Sequence, residues 1–432
     1  MALNTRIGPT AVAAALGLAA LASAGSAHAV LCSEVVSANN LTHVIYGSGG
    51  SAITPTLARV AYILSKANPP IFVFYQDGGG AGVGYDAFVD GTGGTASRPF
   101  KYWLTEADVT GATPNCTADT TAGRAVDFAT TGGTLALFNK TLAEDAGAFS
   151  GPTQGVNVIV PFGSSEPSIS TETLYYVYGF GDGSQFGGVA NPIPWTTKAY
   201  IYRRSPTAFV QQFLRGAIRT LGGNAANFPD GFNGGTASAP DTNQGSVDNV
   251  IAAASAGHAQ EAIGFTSGPT ADKNRGAGKV RSLAYQHTGQ TAAYWPDSSP
   301  EAYDKINIRN GHYFLWDTNQ FFTKIHGSNE HPSLDQIENP DVQAFIGYFS
   351  GQLQFPDNAV TRGIIETGSI PLCAMQVSRS SDFTGLSCTA PADPCGCYFD
   401  SIATGTTSCD ACSSDAQCSG SSKCHFGFCE AY

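Results

Sequence analysis

The sequence predicts an α/β fold followed by a small disulfide-rich module at the C-terminal end. Three observations predict it. Short β-branched runs alternate with amphipathic helical stretches over residues 33–372. Turns rich in glycine or hydroxyl residues join several of these runs to the stretch that follows. After Pro394 the periodicity stops and Cys, Ser and Gly dominate to the end.

The elements follow in order. Residues 42–46 read as a strand, 47–51 as a Gly/Ser turn and 54–66 as a helix with Leu57, Val60, Ala61 and Leu64 on one face. The unit repeats as a strand at 71–75, a glycine turn at 77–82 and a short helix at 83–89. A strand is expected at 156–160 and another at 200–204, the latter leading through Ser205, Pro206 and Thr207 into a helix at 208–221. Pro206 suits a first helical turn, where a missing N–H costs nothing, and Ser205 suits the N-cap before it. Residues 248–256 and 340–353 read as helices, and 261–266 and 279–285 as extended. The Gly/Thr-rich stretch 91–121 reads as loop with one short strand. Tyr313, Phe314 and Trp316 alternate too closely for a helical stripe and are expected in a strand core.

Residues 1–29 have the form of a secretory signal: Arg6, an apolar Ala/Leu run, and Ala27-His28-Ala29 as an A-x-A cleavage site. The apolar run is too short to span a bilayer. A lipid anchor on Cys32 is the rival reading, and Leu31 before it disfavours that. Charged residues make up 13% of the chain and the net charge is −12, which sets the chain against nucleic acid and anionic membrane surfaces. A small anion stays possible, because a site is local and the net charge is global.

Nine of the eleven cysteines fall between Cys373 and Cys429. In an exported chain such a cluster reads as disulfides before it reads as metal, although Cys409-x2-Cys412 also has zinc or redox spacing. The candidates for pairing are Cys32, Cys116, Cys373, Cys388, Cys409, Cys412, Cys418, Cys424 and Cys429. Cys32 is expected to pair with Cys116 and Cys373 with Cys388, with one of the remaining seven left unpaired. Cys395 and Cys397 are too close together to form an ordinary pair.

The strand-to-helix turns carry the chemistry. The first N–H groups of a helix have no intrahelical acceptor and bear partial positive charge. Glycine lets that backbone approach a ligand closely, so such a turn can cradle an anion. Glycine turns also serve packing alone. Three of them, one preceded by Arg203 and Arg204, point to a ligand site at converging helix N-termini.

The run Gly47-Ser48-Gly49-Gly50-Ser51-Ala52-Ile53-Thr54-Pro55 is similar to the first ligand loop of periplasmic phosphate-binding proteins. Tyr75-Gln76-Asp77-Gly78-Gly79-Gly80-Ala81-Gly82 resembles their second loop, and Val126-Asp127-Phe128-Ala129-Thr130-Thr131 the segment before their ligand aspartate. Arg203-Arg204-Ser205-Pro206-Thr207 resembles their Arg…Ser-Gly-Thr loop, shortened and with Pro for Gly. Ala262-Ile263-Gly264-Phe265 and Asn310-Gly311-His312-Tyr313-Phe314-Leu315 resemble later segments, so the likeness runs in order over residues 42–355.

The resemblance implies a two-lobed periplasmic-binding-protein fold with a hinge, and no catalysis. It divides the chain into a signal at 1–29, a solute-binding domain at 30–390 and a Cys-rich tail at 391–432. Lobe one would span 30–155 and 265–390, and lobe two 156–264. The implied ligand is a small anion such as phosphate, with a membrane permease as a possible partner and no cofactor. The implied contacts are Gly50, Ser51, Ala52, Gly80, Ala81, Arg203 or Arg204, Ser205 and Thr207, with Asp77 and Thr131 as further candidates. Two departures weaken phosphate selectivity: the family's second-loop serine falls on Gly80 and its aspartate near Gly132.

Other patterns fit less well. Gly47 to Ala52 formally matches a dinucleotide fingerprint, which is out of place in an exported disulfide-bearing chain. His326, Glu330 and His331 lie in a Gly/Ser/Asn-rich loop, and no metal is expected there. No G-x-S-x-G elbow or H-E-x-x-H is present. A degenerate binding fold serving as a cell-surface or extracellular interaction protein is the alternative reading.

Overall fold

The computed structural model describes residues 30–180, 194–219 and 242–430. The expected signal at 1–29, with its cleavage after Ala29, lies outside the described residues. No helix among the described residues is long and apolar enough to cross a membrane.

The α/β class holds. The strands among the described residues are β1 (Val44–Gly49), β2 (Phe72–Gln76), β3 (Phe100–Tyr102), β4 (Asn115–Cys116), β5 (Phe128–Thr131), β6 (Ala146–Pro161), β7 (Ser168–Ser170), β8 (Gly264–Ser267), β9 (Val280–Ser282), β10 (Ala284–Gln286), β11 (Trp316–Lys324), β12 (Val377–Arg379), β13 (Leu386–Cys388), β14 (Lys423–His425) and β15 (Phe428–Glu430). The α-helices among the described residues are α1 (Cys32–Ala38), α2 (Thr54–Leu64), α3 (Ala81–Asp90), α4 (Glu106–Thr110), α5 (Thr171–Phe180), α6 (Phe209–Arg219), α7 (Asn243–Ser255), α8 (Gly268–Gly276), α9 (Ile306–Arg309), α10 (Pro340–Ser350), α11 (Ala359–Glu366) and α12 (Gly396–Thr404).

The main sheet runs β4-β3-β2-β1-β5-β11-β6-β8, with β9 also on β6. β1 is parallel to β2 and β5, while β11 is antiparallel to β5 and β6. Successive residues of β1 and β2 serve opposite faces. Ile45 and Val73 join the core under α2, α10 and α11, and Tyr46 and Phe74 join the core that holds Tyr85 and Phe88 of α3. The helix face expected at Leu57, Val60, Ala61 and Leu64 is buried as a unit.

β6 links the two halves. Its first part, to Gly155, pairs with β11, and from Val156 onward it pairs with β8 and β9. There it enters a separate core in which Val156, Val158 and Val160 meet Leu174 and Val177 of α5, Phe213 and Leu214 of α6, and Phe265 of β8.

Several local expectations are corrected. Residues 200–204 do not form a strand: only Ile201 makes a bridge, to Ile263, and the Arg204 amide donates to Gln211 Oε1 at 3.1 Å instead of to a ladder. Ser205 is not the N-cap of α6, which begins four residues later at Phe209 and leaves Pro206 in the preceding turn. The stretch 91–121 holds two short strands, β3 and β4, and the helix α4, whose capping box joins Thr105 and Asp108. Tyr313 and Phe314 precede the strand expected to hold them: Tyr313 is buried and Phe314 half-buried, while the buried Trp316 opens β11.

Cys32 pairs with Cys116, as expected. The pairing of Cys373 with Cys388 is overturned. Cys373 bonds to Cys395, whose amide donates to the Cys373 carbonyl at 3.0 Å, while Cys388 sits opposite Val377 on the exposed β12–β13 hairpin as the unpaired thiol. The other bonds are Cys397–Cys409, Cys412–Cys424 and Cys418–Cys429. Cys412, Cys418 and Cys429 are the one metal-like grouping among the described residues, and all three are in disulfides.

The tail is packed against the rest. Cys395 and Phe399 are buried in the core around β6, and Arg309 Nη1 meets Asp400 Oδ1 at 2.5 Å. Glu430 Oε1 accepts the Cys397 and Tyr398 amides at 2.8 and 3.2 Å, so a carboxylate caps the first turn of α12.

Candidate ligand-binding cleft

Three junctions meet at the ends of β1, β2 and β5, and each has a different fate. α2 and α3 leave β1 and β2 toward opposite faces of the sheet, which opens a crevice at the strand ends, the usual ligand position in such sheets.

The first turn, Gly50 to Thr54, borders a cleft of about 940 Å³ through Ser51 and Thr54. Tyr75 holds it from below: its hydroxyl donates to the Gly50 carbonyl at 3.0 Å and lies 2.6 Å from Thr130 Oγ1. Burial raises the pKa of that phenol far above its ordinary value, so it remains a donor. The opposite wall begins at α7. Asn243 Nδ2 donates to Ser51 Oγ at 3.3 Å, and Asn243 Oδ1 accepts Arg204 Nη1 at 2.6 Å and the Ser267 amide at 3.1 Å. Donors on Oδ1 settle which way the amide faces. One asparagine thus ties the N-termini of α2, α7 and α8 to a guanidinium that is 1% exposed.

The second turn is occupied by the chain itself. Gly80 has φ +89°, and a Cβ there would lie 2.5 Å from the Thr207 carbonyl oxygen. That carbonyl accepts the Gly82 amide at 3.4 Å, and Thr207 Oγ1 donates to the Gly79 carbonyl. An amide of the α3 N-terminus therefore already has an acceptor.

The third turn follows β5. A Cβ at Gly132 would lie 2.2 Å from the Phe209 ring, and Phe209 shares a buried apolar cluster with Ala52 and Ala81. The position near which the aspartate would fall is thus packed by a phenyl ring. From behind, Asp382 Oδ1 accepts the Thr134 amide at 3.0 Å. Burial, and then the Asp382 carboxylate, push the Asp317 carboxyl well above the ordinary value.

Ser51 and the Arg204–Thr207 segment, far apart in sequence, are therefore gathered at one place, but with different surroundings. Ser51 and Asp77 line the cleft, and the described lining does not include Gly50, Ala52, Gly80, Ala81, Arg203, Arg204, Ser205, Thr207 or Thr131. Asp77 Oδ2 accepts Thr54 Oγ1 at 2.9 Å and Lys101 Nζ at 2.7 Å, so the carboxylate is paired. Thr131 is buried in β5 and donates to the Gly133 carbonyl.

Sequence reasoning missed Asn243. Its signal was present: Thr242 caps α7 through the Gly245 amide at 3.1 Å, a Ser/Thr-type helix start five residues before the expected one. It also missed the buried cluster behind the cleft wall. Lys305 Nζ lies 2.8 Å from both Asp272 and Asp297, and Arg275 reaches the same two at 2.8 and 3.0 Å. Burial opposes the Lys305 charge, yet the two carboxylates hold its pKa above the ordinary value.

No protein-family model matches the chain, and no curated protein matches it. Among solved structures, the chain is similar to an ABC-type phosphate transport receptor from Vibrio cholerae at 15% identity and TM-score 0.42, covering 76% of this chain and 99% of that one. A phosphate-binding protein from Stenotrophomonas maltophilia matches at 12% identity and TM-score 0.40, covering 77% and 91%.

Proposed function

We propose that the protein is an exported, non-catalytic solute-binding protein that captures a small anion at the floor of the cleft and passes it to a membrane permease. The observation that carries this reading is the Ser51–Asn243–Arg204 chain, which joins helix N-termini from both halves of the sheet to one buried cation beside the cleft. Helix N-termini and guanidinium groups both favour negative charge.

The position near which the family aspartate would fall is packed by Phe209, and Asp77, the cleft carboxylate in the second turn, already accepts from Lys101 and Thr54, so a strong preference for hydrogen phosphate is not expected. Thermal-shift measurements on the secreted protein with phosphate, sulfate and arsenate test the reading. An anion at 100 times its Kd stabilises by about 2.7 kcal/mol, and phosphate and sulfate are expected to act alike. No shift with any anion overturns the reading. That result would favour the second one, a binding fold turned to cell-surface contacts, which the exposed Cys388 thiol supports.

A further inference from the structure

The cleft is much larger than an inorganic oxyanion. At about 940 Å³ it has the size of sites that enclose whole organic molecules. Its two ends also differ. The floor is polar, with Ser51, Thr54 and Asn243. The lining also carries apolar groups that are partly exposed, Val109 and the α12 residues Ile402 and Ala403, while Trp103 and Ile365 are almost fully buried.

Those last two belong to the Cys-rich tail. The Cys373–Cys395 bond, the buried Phe399 and the Arg309–Asp400 pair hold α12 against the rest of the fold. The tail therefore supplies part of the cleft wall.

Charge at the lining is largely internal. Asp77 pairs with Lys101, Arg59 with Glu106, Glu366 with Arg362, and Asp272 with Arg275 and Lys305. Lys273 is exposed at the rim and has no ion-pair partner among the described residues. The charge the cleft leaves for a ligand is positive.

We infer that the ligand is an organic anion, with an oxyanion head at the Ser51–Asn243 floor and an apolar body against Val109 and the α12 wall of the tail. This rests on the reading of the cleft as the anion site and adds the ligand's body and the tail's part in choosing it. A polar floor holds the head, and burial of the body against apolar walls supplies affinity that a bare oxyanion lacks.

Isothermal titration of the full secreted protein with phenyl phosphate, inorganic phosphate and phenol is the test. Phenyl phosphate is expected to bind about tenfold or more tighter than phosphate, from burial of the ring. Phenol is expected to bind far more weakly than phenyl phosphate. Ile402→Gln, which makes the wall polar without adding a charge, is expected to remove most of the phenyl phosphate advantage relative to phosphate measured on the same variant. The unliganded melting temperature reports whether that variant folds, and if it does not, Ala403→Leu on the same wall should change phenyl phosphate affinity alone. Phosphate binding as tightly as phenyl phosphate, or no effect of either wall substitution, overturns the inference and leaves the anion reading standing. Phenol binding as tightly as phenyl phosphate overturns the anionic head. No binding of either phosphate compound overturns both readings.

Discussion

The turns after β1 and β2 are alike in kind and differ in use. Each is a glycine-rich junction between a parallel strand and a helix. The turn after β1 keeps Ser51 and Thr54 on the cleft. The turn after β2 has the Thr207 carbonyl on the Gly82 amide and the Thr207 hydroxyl on the Gly79 carbonyl. A helix N-terminus needs an acceptor, and it takes whichever is nearest, ligand or chain. The difference lies in Thr207, whose carbonyl and hydroxyl both sit on the second turn.

The largest expected effect comes from forcing the two turns apart. A Cβ at Gly84 of α3 would lie 2.3 Å from Gly49 N and Cα, a collision of backbone with backbone. Gly84→Val should destabilise at or above the upper end of the roughly 1–3 kcal/mol typical of overpacking, read from the urea midpoint. A change below about 0.5 kcal/mol, the scale of an ordinary surface substitution, would mean that α3 does not dock on β1 in this way.

Gly80→Ala attacks the closed turn alone. The left-handed backbone and the 2.5 Å approach to Thr207 both oppose a side chain there, and a loss of about 1–3 kcal/mol is expected. The matching change in the other turn, Gly50→Ala, meets Ala81 Cβ at 3.1 Å and should cost less. Equal costs in thermal denaturation would erase the contrast.

Asp317 sharpens the comparison at the third turn through pH. Its pKa in the fold is raised, so its favourable contribution is full below the unfolded carboxylate value and is lost as pH rises through the folded value. Asp317→Asn keeps a neutral side chain, so it should raise the melting temperature at pH 8 and change it little at pH 4. A variant less stable at pH 8 would show that the carboxylate is held charged.

The smallest effect on stability is expected at the open turn. Ser51→Ala removes one 3.3 Å contact with Asn243 and should shift stability by no more than about 0.5 kcal/mol. It should nonetheless reduce the thermal shift produced by phosphate. An unchanged shift would place the anion away from Ser51.

Much of the fold was legible because its signals are local. The apolar spacing of Leu57, Val60, Ala61 and Leu64 marks one helix face whatever lies beneath it, and all four are buried. Residues 200–204 misled because β-branched and aromatic residues in a short run suit a strand or any buried segment. Here Ile201 and Arg204 are buried without a ladder, and Gln211 satisfies an amide that a strand would have paired. Cysteine order was no guide to partner: Cys388 is nearer to Cys373 in sequence, but the β12–β13 hairpin carries it to the surface while Cys395 returns to the core.

The sequence by itself determined the α/β class and the two strand–turn–helix units at β1 and β2. Hydrophobic period, glycine at a turn and a proline near a helix start act over a few residues and need no distant partner. Only the tertiary structure decided which turn stays open, because Thr207 and Phe209 lie far along the chain from the glycines they cover. It also decided that Asn243 joins Ser51 to Arg204, and that α12 walls the cleft. Each of these is a contact between groups separated by many residues, where hydrogen-bond geometry and close packing select the partner and no local pattern records the choice.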